Sequence, residues 1–320
     1  MRYIISLLLA SATPALAEVP RVVTDIPPVQ SLVAQVMGDL GQPAVLLDKG
    51  ANAHEFQMRP SQAAGLQEAG LVVWIGPEMT PWLDRALEGV TTAPQLRLLA
   101  AEGTHRQEFD AEDAHDHDHE GAAAEDGHDA AQPEEGPDEK GHDEEGHSHH
   151  GLDPHAWLDP ANAAHWLGLI AGELSKLDPE NAATYAANAA KAQAEMAALD
   201  AEMAATLAGS KAKPLVVYHN AYGYFAGHYG LTIAASIAHG DAANPGAQHI
   251  AGIEDLLKSG PVCLFPEVNH DPKLVAQLAE SAGLTVAGAL DPEGAQLEPG
   301  PALYGQMMRG LAATIAGCGI

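Results

Sequence analysis

The chain has 320 residues and a formal charge of −29, with 15 Lys and Arg set against 44 Asp and Glu. That sign argues against nucleic acid as a partner, because phosphate contacts draw on basic side chains. The acidity is also concentrated: residues 105–150 hold seventeen acids against Arg106 and Lys140, −15 in all, so the remainder is only moderately acidic.

Residues 1–17 read as a removable export signal, with Arg2 at the positive end, an apolar stretch over 4–10 and ALA at 15–17 as the cleavage site. The stretch is shorter than the roughly 20 residues that span a bilayer. With no cysteine near the cleavage site to carry a lipid, the expectation is a mature protein starting near Glu18 in the periplasm of a Gram-negative bacterium. RVVT (21–24), AVLL (44–47), LVVWIG (71–76) and LRLLA (96–100) then read as strands. Helical patterns over 29–37 and 61–70, and from Pro81 onward with Trp82, Leu83 and Leu87 as an apolar stripe, alternate with them. Such βα alternation predicts a parallel sheet flanked by helices.

Residues 105–150 break that pattern. They carry nine of the seventeen histidines, including HDHDHE (115–120) and HSHH (147–150), and few large apolar side chains. Too little surface is available to offset the ordering entropy, so the tract is expected to be disordered. Imidazole at this density suits collection of zinc, copper or nickel, through His115, His117, His119, His128, His142, His147, His149 and His150. The competing reading is a merely solubilising acidic insert.

Beyond it, 178–207 is Ala-rich, has no Gly or Pro between Glu180 and Ala208, and opens on Asp178-Pro179-Glu180. A helix of that length exceeds roughly 35 Å, the width of a lobe. PLVVYH (214–219), LTIAASI (231–237), VCLFPEV (262–268) and LTVAGAL (284–290) read as strands again, with helices over 249–259, 272–282 and 302–316. The predicted division is a signal (1–17), an N-terminal α/β lobe (18–177) containing the tract, a linking helix (178–209) and a C-terminal α/β lobe (210–320). Ligands of such sheets bind in the cleft outside the carboxyl ends of the strands. Cys263 and Cys318 are the only cysteines. Export makes a bridge between them permissible, the alternative being two buried thiols.

Three of the eight histidines outside the tract stand near the ends of ordered elements: His54 in GANAHEFQMRPSQ (50–62), His155 in DPHAWLDP (153–160) and His219 in HNAYGYF (219–225). In this order, these segments resemble the metal-binding segments of the ZnuA-like periplasmic zinc-binding proteins of ABC uptake systems, within the metal-binding solute receptors of cluster A-I. The resemblance covers essentially the whole mature chain, including the acidic His-rich loop before DPHAWLDP, the long helix and the paired cysteines. It implies two α/β lobes joined by one long helix, with His54, His155 and His219 binding zinc in the interlobe cleft. Manganese-binding relatives have a carboxylate where His219 stands, and a third imidazole shifts the preference to zinc. The fourth ligand is Asp291, which matches the family's C-terminal Asp, or water. Ala53 departs from members with Glu before the first histidine, and Glu55 is a weaker substitute.

His165, His228, His239, His249 and His270 read as ordinary surface or hydrogen-bonded histidines, and Asn220 and Tyr222 as residues behind the ligands. Glu267 faces either the cleft or solvent. The implied function is a monomeric, non-enzymatic receptor that captures zinc and hands it to an inner-membrane ABC permease, with weaker zinc binding in the tract. Two other classes compete. A zinc hydrolase lacks any HExxH-type motif here. A zinc buffer, in which the tract does the tight binding, predicts that deleting 105–150 abolishes it.

Overall fold

The computed structural model describes residues 19–54, 56–109, 151–238 and 245–319. The predicted signal, the eight tract histidines between 115 and 150, Glu55 and His239 lie outside the described residues. Among those described, β1 (Val22–Thr24), β2 (Ala44–Val45), β3 (Leu71–Trp74) and β4 (Gln95–Arg97) form one parallel sheet in the order β2-β1-β3-β4. A second parallel sheet, ordered β6-β5-β7, comprises β5 (Pro214–His219), β6 (Thr232–Ala238) and β7 (Cys263–Leu264). Helices α1 (Pro27–Met37), α2 (Pro60–Gln67), α3 (Pro81–Val90) and α4 (Pro160–Leu177) accompany the first sheet. The long α5 (Ala182–Leu207) follows, and then α6 (Gly223–Tyr229), α7 (Ala247–Ser259), α8 (Lys273–Ala282) and α9 (Leu303–Ala316).

Proline at the first turn opens α1, α2, α3 and α4, where its missing N–H is not needed. Asp159 caps α4 by accepting from Ala161 N at 2.8 Å. Before α5, the Asp178 carboxylate accepts from the Asn181 side chain and the Tyr185 hydroxyl, fixing the corner that turns α4 into the long helix. The 26 residues of α5 extend about 39 Å.

Side-chain alternation along the strands sorts the core. Val22, Leu71 and Val73 face one way, and Leu215 and Val217 do the same in the second sheet. These side chains share a single continuous core with α1, α4, α5 and α9. Val23, Val72 and Trp74 face the opposite way onto Leu66 of α2 and Leu83 and Leu87 of α3. Val216 and Leu264 likewise meet Ile253 and Leu257 of α7 and Val275 and Leu278 of α8. Each sheet therefore has an outer helical layer of its own, and the two sheets share an inner one. This period-two division is what a parallel strand buried on both faces requires.

One predicted strand is absent. Residues 284–290 make only an isolated parallel bridge, Leu290 to Glu267, with hydrogen bonds from Ala287 N to Leu264 O and from Leu290 N to Pro266 O. Pro266 has no N–H to return, so the ladder cannot propagate past β7. β7 itself keeps two residues of the predicted 262–268. Cys263 and Cys318 are bonded, tying β7 to the end of α9 across 55 residues of sequence.

Candidate metal centre

His219 is the last residue of β5, so the sheet delivers it to the carboxyl edge. His155 sits immediately before a single 3₁₀ turn (Ala156–Leu158), held between Pro154 and Pro160. His54 lies in the loop between β2 and α2. Asn52 accepts from His54 N at 2.8 Å, and Trp82 donates its indole N–H to Ala53 O at 2.7 Å, which pins that loop to α3.

The His155 ring is near both of the others. His54 and His155 ring centres are 5.7 Å apart, and those of His155 and His219 are 5.3 Å apart. An imidazole bound at 2.0–2.1 Å places its ring centre roughly 3.2 Å from a metal, so two tetrahedral imidazoles have centres about 5.2 Å apart. Both observed spacings are close to that value. His155 and His219 are buried, at 3% exposed each, while His54 is half-buried.

Each buried ring is oriented through Nδ1. His155 Nδ1 contacts Asp153 Oδ1 at 2.8 Å, and the same oxygen accepts from the His155 backbone N–H at 2.9 Å. His219 Nδ1 contacts Glu267 Oε2 at 2.7 Å, and the Tyr222 hydroxyl donates to Glu267 Oε1 at 3.0 Å. Commitment of Nδ1 leaves Nε2 as the nitrogen that could take a metal, and a carboxylate behind a histidine makes it a better donor. Among the described residues, His155 Nε2 is buried with no hydrogen-bond partner, a costly state that a bound cation would relieve. Trp157 stands against His155, with ring centres 5.3 Å apart. Its indole N–H donates to Pro292 O at 2.8 Å, and the Tyr304 hydroxyl donates to Trp157 O, joining the DPHAWLDP segment to the C-terminal loop.

Asp291 uses both carboxylate oxygens elsewhere, accepting from Ala295 N at 2.8 Å and from Gln296 N at 3.2 Å. They close a turn in which Gly294 takes φ +66°, a conformation that favours glycine. Glu293, two residues on, is buried and lines a cavity of about 90 Å³ together with Asn52, His219, Glu267 and His270. Glu267, left open between cleft and solvent by sequence, is buried against His219. Asp153, Glu293 and the site-side position of His270 were missed. The one available signal was Asp153 two residues before His155, inside the motif itself.

The remaining histidines have local partners. His165 contacts Glu102 O, and His249, which lies within α7 and not in a loop, contacts Ser236 O. His228 bridges Asp159 at 3.1 Å and Asp200 at 2.9 Å. The hydrogen bond to Asp159 raises its pKa, burial opposes the rise, and Asp200 adds to it. The two ends of the tract pair as an antiparallel stem, with Phe109 N donating to Gly151 O and Asp153 N to Gln107 O. Gln107 also donates its amide to Asp153 Oδ2 at 3.0 Å, so the stem reaches the carboxylate behind His155.

Comparison with known proteins agrees with this architecture. Residues 22–318 match the sequence profile described as "ZnuA: Zinc-uptake complex component A periplasmic". The high-affinity zinc uptake system protein ZnuA of Paracoccus denitrificans is 48% identical over 310 residues, covering 96% of this chain and 94% of that protein. A crystal structure of ZnuA superposes with a TM-score of 0.72 at 25% identity, covering 93% of this chain and 98% of the other. A ZnuA variant lacking its own residues 138–173, with zinc bound, gives 0.69 at 25% identity, covering 93% and 96%.

Proposed function

Since the chain belongs to the family of periplasmic zinc-uptake complex component A, we propose that it captures zinc through His54, His155 and His219 and delivers it to an inner-membrane ABC permease. The family is one of solute receptors, not enzymes. The observation that most supports this reading is that the His155 ring lies near those of both His54 and His219, with His155 and His219 held at Nδ1 by the buried carboxyl groups of Asp153 and Glu267. Three neutral nitrogens suit zinc, whereas manganese favours oxygen donors and lies low in the affinity order.

For the fourth position we favour water over Asp291, whose two oxygens already accept backbone hydrogen bonds. The tract is assigned a lesser role, as several weaker zinc sites. That a ZnuA shortened by a deletion is found with zinc bound supports placing the tight site outside it. We take the protein to act as a monomer.

A competition titration with a zinc chelator tests the assignment. One tight site is expected in the wild type and in a variant lacking 110–150. It is expected to be lost or strongly weakened in His54→Ala, His155→Ala and His219→Ala, and manganese should compete poorly. If the deletion removes tight binding while the three substitutions keep it, the tract is the binding element and the protein is a buffer.

A further inference from the structure

The cavity beside His219 has features the three-imidazole centre does not require. At about 90 Å³ it is far too small for an organic ligand. It can hold an ion with two or three waters, each taking roughly 30 Å³. Glu267 and Glu293 line it, both 4% exposed, and no Lys or Arg does. Two buried carboxyl groups with histidines but no Lys or Arg in the lining suit a cation there.

The donors are graded from solvent inward. The His270 side chain is 15% exposed, against 3% for Glu267 and 4% for His219. Its ring stacks on Tyr218 with centres 4.0 Å apart, which holds its plane, and its centre is 6.0 Å from that of His219. His270 Nε2 is 3.8 Å from Glu267 Oε2, and one ligand atom from each of His219, Glu267 and His270 lies within 4.8 Å of the others. Nitrogen and oxygen ligands of tetrahedral zinc stand about 3.3–3.6 Å apart, so small side-chain rotations bring this set onto one ion.

We propose that His270 and Glu267 form a second, transient zinc position that takes the ion at the cavity mouth and passes it to His219. This rests on the receptor reading above. The position cannot be the tighter one, because filling it opens the contact between Glu267 and His219 Nδ1 that the three-imidazole centre uses. It lowers the barrier for zinc to shed its waters stepwise without adding to the final affinity. A shared intermediate speeds entry and exit alike.

The test is kinetic and uses the full mature protein with zinc as the probe. Uptake is followed by transfer from a zinc-loaded indicator and release by excess chelator, the slow phase reporting the cleft. His270→Phe keeps the stack on Tyr218 and removes the donor. It is expected to slow both uptake and release by about tenfold and to leave Kd within about twofold. His270→Gln, which cannot replace an imidazole ligand, should do the same, with thermal melting of both variants unchanged. Unaltered rates overturn the proposal. So does faster release with a matching rise in Kd, which would make His270 a ligand of the final complex. His54→Ala separates the two readings: if it leaves the slow phase intact, the receptor assignment itself fails. If it abolishes that phase while His270→Phe changes neither rate, only the transient position fails.

Discussion

Replacing Asp153 with Asn tests how far a carboxylate behind a ligand controls the metal. The side chains of Asp153 and His155 are 2% and 4% exposed, so water cannot substitute for either. Oδ1 serves both the ring and the backbone N–H of His155, at 2.8 and 2.9 Å, and Oδ2 accepts the Gln107 amide at 3.0 Å. Asn can keep its oxygen toward the ring, but its NH₂ then faces the NH₂ of Gln107, and Gln107 has to turn its amide over. The shape survives and the charge is lost. A charge-assisted hydrogen bond is roughly twice as strong as a neutral one, and removing such a partner lowers metal affinity by about 10–100-fold. Zinc affinity of Asp153→Asn should therefore fall by about 1.4–2.7 kcal/mol, read by chelator competition, with the melting temperature of the zinc-free protein nearly unchanged. Binding within about twofold of wild type in a folded variant would show that Asp153 does not tune His155, and the reasoning about Glu267 and His219 would fall with it.

Gly223→Ala places a Cβ 2.3 Å from Gln107 Nε2 and 3.2 Å from Asp153 Oδ2. Gln107 can swing away, so the variant should fold but bind zinc several-fold more weakly, and Gln107→Ala should add little to it; additive losses in the double variant would refute this coupling. Reduction of Cys263–Cys318 frees a closure spanning 55 residues and should lower stability by at most about 4 kcal/mol, with zinc affinity retained; an unchanged melting temperature would contradict it. His228 gains its raised pKa from Asp159, against burial and with help from Asp200, and Tyr229 and His105 also contact these two acids. Its contribution is fully present below its unfolded pKa of about 6.5 and is lost as pH rises through the higher folded value. Wild type should therefore exceed His228→Gln in stability most at pH 5–6 and least at high pH, and a pH-independent gap would refute the role given to this bridge.

Most of the architecture was legible in sequence because the strands that matter are short apolar runs with an inner and an outer face. PLVVYH becomes β5 residue for residue, and the breaker-free stretch before Ala208 becomes α5. LTVAGAL misled because its pattern is that of a strand, while pairing depends on Pro266, far away in sequence. The histidine motifs pointed to the segments of the candidate centre, since His155 and His219 stand at element ends and His54 in a loop between two elements. The partners behind them were less legible. Glu267 and His270 lie 48 and 51 residues beyond His219, and only the β5–β7 pairing makes them its neighbours. Asp291 looked like a ligand in a line of letters, yet its oxygens are occupied by a turn that the letters do not show.

The unbroken core shared by both sheets has a consequence for how a loaded molecule is told from an empty one. Side chains of α1, α4, α5 and α9 pack the two halves together, and Trp157 and Tyr304 rivet the middle. A swing of one half against the other would tear open close-packed apolar surface, a large penalty for releasing one small ion. His155 and His219 are set in that rigid frame. His54 is half-buried on a loop between β2 and α2, where Trp82 bonds Ala53 O. If His54 is a ligand as proposed, the difference between loaded and empty forms would then be local to it and its neighbours. On that reading, a partner touching this loop would meet the difference between the two forms directly.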